Sequence, residues 1–447
     1  MKRRDFLKIS GWSVFNLSIL NFSCQSKERE STLPNIILIL ADDMGYECLS
    51  CNGSTSYKTP VLDELAEKGI RFTQAHSQPL CTPTRVKIMT GKYNYRNYEA
   101  FGYLNPKEDT FANMLKDAGY ATCLVGKWQL NGISGTKIPG WEDKSRPNHF
   151  GFEEYCLWQL THLKGDGERY ANPLIEQNGV ELPRDEEAYG PDIFCNYITD
   201  YIQRKNNQPF FIYYPMALIH DPFVPTPDSP EWKNKELRYK KNPKFFADMV
   251  HYTDKIIGKI WNQLKESGIE QNTLVIFIGD NGTNVNITSQ TLDGPYQGGK
   301  GKTIDAGTRV PLIAYWPAMK QRGLVFDGFV DLTDFYATFA AIVGKNDFRD
   351  GKSLLPLFNK EKYDQREILF MHYEPRWGAQ SQYSNRFART KEYKLYIDGQ
   401  FYNLKNDILE KNNILLSDCT PEEVIIRKKL QAVLDSHPAW KIPPKTN

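Results

Sequence analysis

Asn35-Ile36-Ile37-Leu38-Ile39-Leu40-Ala41, followed at once by Asp42-Asp43, is the stretch from which the fold is read. An unbroken apolar run of this length marks a strand buried on both faces, as in a parallel sheet covered by helices. A half-exposed strand would alternate apolar and polar residues. The run ends abruptly in two carboxylates, at the edge where ligands bind in open α/β sheets. Adjacent carboxylates are costly there unless something positive meets them, although an Asp-Asp pair taken alone is commonly an exposed turn.

Outward from this strand the same pattern recurs. Residues 59–68 read as an amphipathic helix stopped by Gly69, and 70–75 as a strand. Thr110 caps a helix through Ala118, with Gly119 as its stop. The strand 120–125 runs into Gly126-Lys127-Trp128-Gln129-Leu130. Strand 210–214 leads to His220 in the proline-rich loop Ile219-His220-Asp221-Pro222, and 248–264 forms a helix. A second fully apolar strand, 273–278, ends in Gly279-Asp280-Asn281-Gly282. Gly298-Gly299-Lys300-Gly301-Lys302 and Gly307-Thr308-Arg309-Val310-Pro311 precede a strand at 312–316. Glycines in these loops would let backbone approach a ligand closely, the alternative being plain flexibility. The expected architecture is α/β, with a large, mainly parallel or mixed central sheet flanked by helices over residues 32–360. Alternating stretches at 368–373, 386–390 and 393–397, a turn at Asp398-Gly399 and a helix at 422–434 predict a small C-terminal subdomain over 361–447, with an antiparallel sheet and one helix.

Cys81-Thr82-Pro83-Thr84-Arg85 stands out between the second strand and Gly91. Pro83 fits the first turn of a helix and Thr82 is a plausible N-cap, which presents Cys81 at the helix N-terminus. That end favours a thiolate or a bound anion, and Arg85 lies one turn further on the same side. In isolation the five residues would equally describe a buried cysteine beside a helix-starting proline.

With 447 residues, 40% hydrophobic and 25% charged, the composition is that of an ordinary globular chain, and a net charge of +2 provides no basic surface for nucleic acid. Residues 1–31 read as an export signal and tether. Lys2-Arg3-Arg4-Asp5-Phe6-Leu7-Lys8 is twin-arginine-like, and the apolar run 9–20 is too short for a permanent membrane span. Cys24 is a candidate lipid anchor, although Asn21 stands where a lipobox carries Leu; plain cleavage is the alternative. The expected location is periplasmic or cell-surface, reached through the export machinery. Cys48-x-x-Cys51 has no second pair at zinc-site spacing, so structural thiols or a disulfide are expected.

In order along the chain, Asp42-Asp43, C-x-P-x-R, Gly126-Lys127-Trp128, a histidine in a proline-rich loop, Asp280-Asn281-Gly282, and Lys300 before Gly307-x-Arg309-Val310-Pro311 resemble the type I sulfatases of the alkaline phosphatase-like superfamily. The resemblance runs from Pro34 to the Asp407 region. It implies that a formylglycine-generating enzyme converts Cys81 to formylglycine before folding. It also implies that Asp42, Asp43, Asp280 and Asn281, with an oxygen from the modified Cys81, hold a calcium ion. Oxygen donors in that number suit calcium. By the same resemblance Arg85, Lys127 and Lys300 neutralise the sulfate, and His220 donates a proton to the leaving oxygen.

The family commonly has histidine where this chain has Gln129, which cannot act as a base near neutral pH. Gln129 is therefore expected to orient rather than deprotonate. Trp158, His162, Arg376 and Trp377 are candidates for contacts to the substrate outside the sulfate pocket. The implied function is hydrolysis of a sulfate ester on a sulfated carbohydrate. The alternatives are a phosphonate or phosphodiester hydrolase of the same superfamily, and an exported glycan-binding protein without turnover.

Overall fold

The computed structural model describes residues 33–132, 140, 142–158, 160 and 169–443; the segment 1–31, with Cys24, and also His162 lie outside the described residues. Among these, ten strands form one sheet: β1 (Asn35–Ala41), β2 (Ile70–His76), β3 (Ala121–Lys127), β4 (Glu154–Trp158), β5 (Ile175–Gln177), β6 (Val180–Glu181), β7 (Phe210–Pro215), β8 (Thr273–Gly279), β9 (Arg309–Tyr315) and β10 (Leu324–Asp331). The order is β10-β2-β9-β8-β1-β7-β3-β4-β5-β6. The expected mixed sheet is therefore present. β1 lies at its heart, parallel to β7 on one side and β8 on the other, while β9 runs antiparallel to β8 and β2.

The apolar run of β1 is explained by cover on both faces. Ile36, Leu38 and Leu40 pack with Val86, Phe111 and Phe335, from the helices Cys81–Thr90, Phe111–Asp117 and Thr333–Ile342. Ile37 and Ile39 pack with Leu62, Ile198 and Ile256 of the helices Pro60–Lys68, Gly190–Lys205 and Phe245–Glu266. Each such side chain contributes about 1.5–3 kcal/mol by leaving water. Neither parity of the strand can be polar.

The helix Cys81–Thr90 is buried along all ten of its residues, including Arg85 and Lys87, and so shows no amphipathic stripe. Lys87 Nζ is neutralised by Asp331 Oδ2 at 2.7 Å. The helix begins two residues earlier than the expected cap implies. Leu80 is the N-cap, and Thr82 instead accepts the Gly102 N–H at 3.3 Å. Gly91 ends the helix at φ +64, where a Cβ would sit 2.5 Å from Tyr336 Cβ.

A second, four-stranded antiparallel sheet comprises β11 (Leu369–Tyr373), β12 (Asn385–Arg389), β13 (Tyr393–Tyr396) and β14 (Phe401–Asn403), in that order. The helix Pro421–Asp435, opened by a Thr420/Glu423 capping box, lays Leu430 and Leu434 against Phe370, Ala388, Leu395 and Phe401. All seven described cysteines are free thiols, so no disulfide joins Cys48 to Cys51.

Candidate active site

The carboxyl ends of β1 and β8 lie side by side, with Ala41 paired to Gly279. The residues that follow must therefore meet. Asp43 N–H donates to Asp280 Oδ1 at 3.0 Å, and Asn281 Nδ2 donates to Asp43 Oδ1 at 2.9 Å. Asp42, Asp43, Asp280 and Asn281 are all fully buried, and Asp43 takes a left-handed φ of +59.

Three cations close around this cluster. Lys127, at the end of β3, places Nζ 2.6 Å from Asp42 Oδ2. Gly126 permits this close approach, because a Cβ there would lie 2.2 Å from the Pro215 carbonyl oxygen. Arg85 reaches Asp280 Oδ2 at 3.3 Å and Asp42 Oδ2 at 4.0 Å, and also donates to the Lys127 carbonyl. Lys300 Nζ lies 2.6 Å from Asp43 Oδ2 and 3.1 Å from His220 Nε2. His220 Nδ1 lies 2.6 Å from the Asp221 carbonyl, so Nδ1 carries the proton and Nε2 accepts from Lys300.

Cys81 is 3% exposed, with Sγ 3.4 Å from Gln129 Oε1. Ligand atoms of Asp42, Cys81 and Asp280 fall within 4.8 Å of one another. Gln129 thus stands against Cys81, held at φ +55. Burial pushes the Cys81 thiol up, with Lys127 opposing, so the unmodified residue keeps its proton. The thiolate expected at a helix start is not favoured here.

Burial also raises the carboxyls of Asp43 and Asp280, against Lys300 and Arg85 respectively. At Asp42 burial acts in the same sense, but Lys127, His220, Arg85 and Lys300 together outweigh it and hold the group below the usual range. His220 is depressed by burial and then by Lys300 and Lys127, which keeps it neutral.

Two oxygens in this cluster are buried without a partner: Asp42 Oδ1 and Asn281 Oδ1. Leaving such acceptors unmet is expensive. Three converging carboxylates and an amide oxygen, two of these groups with open acceptors, form the donor set of a hard divalent cation. These residues fit the ion implied by the sequence.

The outer candidates separate. Trp377 is 43% exposed and stacks on Phe101 at 4.2 Å; Phe101 in turn packs with Leu80, Cys81 and Tyr373. Arg376 is turned outward, bound to Glu374 Oε1 at 2.9 Å and the Glu99 carbonyl at 3.0 Å. Trp158 is corrected: it is 5% exposed, with the Arg169 guanidinium 4.3 Å from its ring centroid, so it presents no open face for a sugar. It lies in β4, in register with Lys127. Two neighbours carried no sequence signal. Gln380 lies against Gly301, where a Cβ would meet its Oε1 at 2.4 Å, and Arg169 flanks the His220 side. The other described histidines near the sheet are engaged: His76 with Thr308 and Gln74, His149 with Asp143 and Ser145.

The sulfatase family model matches residues 34–345, and a model described as N-sulphoglucosamine sulphohydrolase, C-terminal, matches residues 300–437. The chain is 30% identical to N-acetylgalactosamine-6-sulfatase of Mus musculus, over 75% of this chain and 68% of that protein. It is 27% identical to a sulfatase of Formosa agariphila, over 98% and 94% respectively. The crystal structure of Ps i-CgsB in complex with k-i-k-neocarrahexaose superposes with a TM-score of 0.71 at 26% identity, covering 92% of this chain and 95% of that one. The chain belongs to the sulfatase family of the alkaline phosphatase-like superfamily and is a sulfuric ester hydrolase.

Proposed function

We propose that the chain releases sulfate from a sulfated carbohydrate, using formylglycine made from Cys81 and a calcium ion held by Asp42, Asp43, Asp280, Asn281 and the modified residue 81. The observation that carries this reading is the meeting of Cys81 with a buried acidic cluster whose Asp42 Oδ1 and Asn281 Oδ1 lack partners. The sugar is favoured because a relative of this fold is crystallised with an oligosaccharide and because an exposed Trp377 stands next to Phe101 at the rim.

The ion would offset the carboxylates and make the attacking hydroxyl more acidic. Formylglycine supplies that hydroxyl in its hydrated form, and sulfur accepts it while the sugar oxygen departs. Arg85, Lys127 and Lys300 answer the negative charge on the sulfate oxygens in a water-poor pocket. The anion's charge counters Lys300 and Lys127, the cations that depress His220, so His220 Nε2 becomes able to carry a proton to the leaving oxygen. Gln129 holds the residue at 81 in place by hydrogen bonding. Once hydrated, a formylglycine at residue 81 would also supply the second hydroxyl through which sulfate is expelled, its proton passing to water. The N-terminal pattern supports export, with Cys24 as the candidate anchor and the catalytic unit of 32–360 followed by the subdomain of 361–447.

The test is a panel of sulfated sugars, phosphodiesters and phosphonates, assayed on protein produced together with a formylglycine-generating enzyme. Sulfate release that stops on chelation and returns with calcium is the expected result. Preferential phosphodiester or phosphonate cleavage would overturn the substrate class, and sugar binding without release would overturn turnover. Peptide mass spectrometry of active protein showing only thiol at residue 81 would overturn the nucleophile.

A further inference from the structure

The buried arginines of this protein differ in what they face. Arg85 meets Asp280, Arg389 meets Asp305, Arg238 meets Glu187, Arg146 donates to the Leu104 carbonyl and Arg386 to the Pro438 carbonyl. Arg169 is the exception. It is only 7% exposed, its Nε and Nη1 are buried without a hydrogen-bond partner, and no described carboxylate pairs with it. Its contacts are aromatic: the Trp158 ring at 4.3 Å and the Tyr170 ring at 6.0 Å. A desolvated guanidinium with idle donors is costly to keep unless an anion completes it.

Its position is fixed and is next to the catalytic cluster. Trp158, beneath it, is the register partner of Lys127. The following residue, Tyr170, donates its hydroxyl to the carbonyls of Ala217 and His220 at 2.8 and 2.5 Å, which ties this segment to the histidine loop. Gly190 leaves room for the Arg169 backbone, since a Cβ there would lie 2.1 Å from its carbonyl oxygen. The Arg169 charge is also among those acting on His220. The sulfate is already matched by Arg85, Lys127 and Lys300, and His220 marks the side on which the sugar leaves. A fourth cation on that side is surplus to the ester being cleaved.

We propose that Arg169 recognises a second anionic group, a carboxylate or a further sulfate, on the sugar that carries the scissile ester. This rests on the sulfatase reading above and adds the class of sugar. A planar guanidinium, its carbon 4.3 Å from the Trp158 ring centroid, can give two parallel hydrogen bonds to either group, and its loss leaves the substrate anion unpaired. The two sources share this chemistry and differ only in which sugar bears it.

The experiment compares kcat/KM for three substrates: a singly sulfated neutral hexose, the same hexose with a second sulfate, and a sulfated hexuronate. The formylglycine-bearing wild type is set against Arg169→Gln and Arg169→Lys, with folding checked by thermal unfolding. Wild type is expected to prefer one doubly anionic sugar by about tenfold or more, and which one identifies the group. Arg169→Gln should cut the ratio of doubly to singly anionic kcat/KM by about thirtyfold, chiefly through KM, with partial recovery in Arg169→Lys. Equal losses on all three sugars, in either variant, would mean that Arg169 only supports Trp158, and would overturn the proposal. Sulfate release by wild type without preference also overturns it while leaving the proposed function standing; no release from any sugar overturns both.

Discussion

Two of the buried charge clusters among the described residues are built differently. Where the small sheet meets the loop after Lys300, Arg389 pairs with Asp305, Lys394 Nζ lies 2.8 Å from Glu410 Oε1, and Tyr396 donates to Glu410 Oε2 at 2.5 Å. Lys394 also donates to the Thr303 carbonyl at 2.5 Å. There each charge has its opposite, and no fully buried carboxylate oxygen of the group lacks a partner. In the Asp42 cluster three carboxylates also meet three cations, Lys127, Arg85 and Lys300, yet Asp42 Oδ1 and Asn281 Oδ1 remain open. A buried cluster that closes on itself serves the fold, whereas one with open acceptors is shaped for something that binds.

The contrast can be broken experimentally, beginning with its largest consequence. Asp280→Asn should reduce sulfate release by a factor of about 1,000 or more, because a proposed ligand of the cation and a partner of Arg85 change together. In metal-free protein the same change should leave the melting temperature level or higher, since one of three repelling carboxylates is removed. A melting temperature several degrees lower without metal would place this cluster with the structural one.

Arg389→Met is the converse case. It leaves Asp305 buried and unpaired, and denaturant unfolding should register a loss of about 3–5 kcal/mol. A loss under about 1 kcal/mol would show that the second cluster is not closed in the sense argued here.

A smaller effect concerns His372, in β11 against Arg386. Burial, then Arg386 and Arg376, bring it down to about 3 from the ordinary 6.5. The folded protein therefore holds the ring neutral while the unfolded chain takes up a proton. Stability is full above pH 6.5 and falls as pH drops toward 3, by at most about 1.4 kcal/mol per pH unit. His372→Gln should flatten this slope between pH 6 and 4, as read by urea midpoints; an unchanged slope would assign the acid sensitivity to other groups.

The mildest change is Gln129→Ala, which removes one neutral hydrogen bond beside residue 81. A decrease of about five- to tenfold in kcat/KM is expected, with the enzyme still turning over. Complete inactivity with substrate binding retained would give Gln129 a role beyond orientation.

The parts of this arrangement legible in the sequence are those that sit at the ends of apolar strands. Asp42 and Asp280 follow β1 and β8 directly and Lys127 closes β3, and a sheet brings such ends together whatever the intervening chain does. Exposure was less legible. Trp158 reads as a sugar platform until Arg169, eleven residues on, is found lying over its ring. Arg169 itself has no periodic neighbour to announce it, and its relation to His220 is made by Tyr170 across the fold. The Arg389–Asp305 pair spans 84 residues between a strand and a loop, a distance over which local pattern carries no information. The misplaced thiolate has a simpler cause: a helix start attracts negative charge, but complete burial of the helix costs more than that attraction returns.

That completely buried helix would also make the proposed conversion of Cys81 a matter of timing. Residue 81 has 3% of its surface accessible and the ten residues that follow the loop are enclosed by sheet and helices, so a modifying enzyme that grips an extended peptide can reach it only while the chain is still open. Folding and modification are then competitors in a race run once per molecule. A chain that folds first is sealed as a cysteine form with the right shape and no chemistry, and purification cannot mend it. On the proposed function, specific activity in any preparation would be a record of how the protein was made, set by the abundance of the modifying enzyme during synthesis rather than by the state of the purified fold.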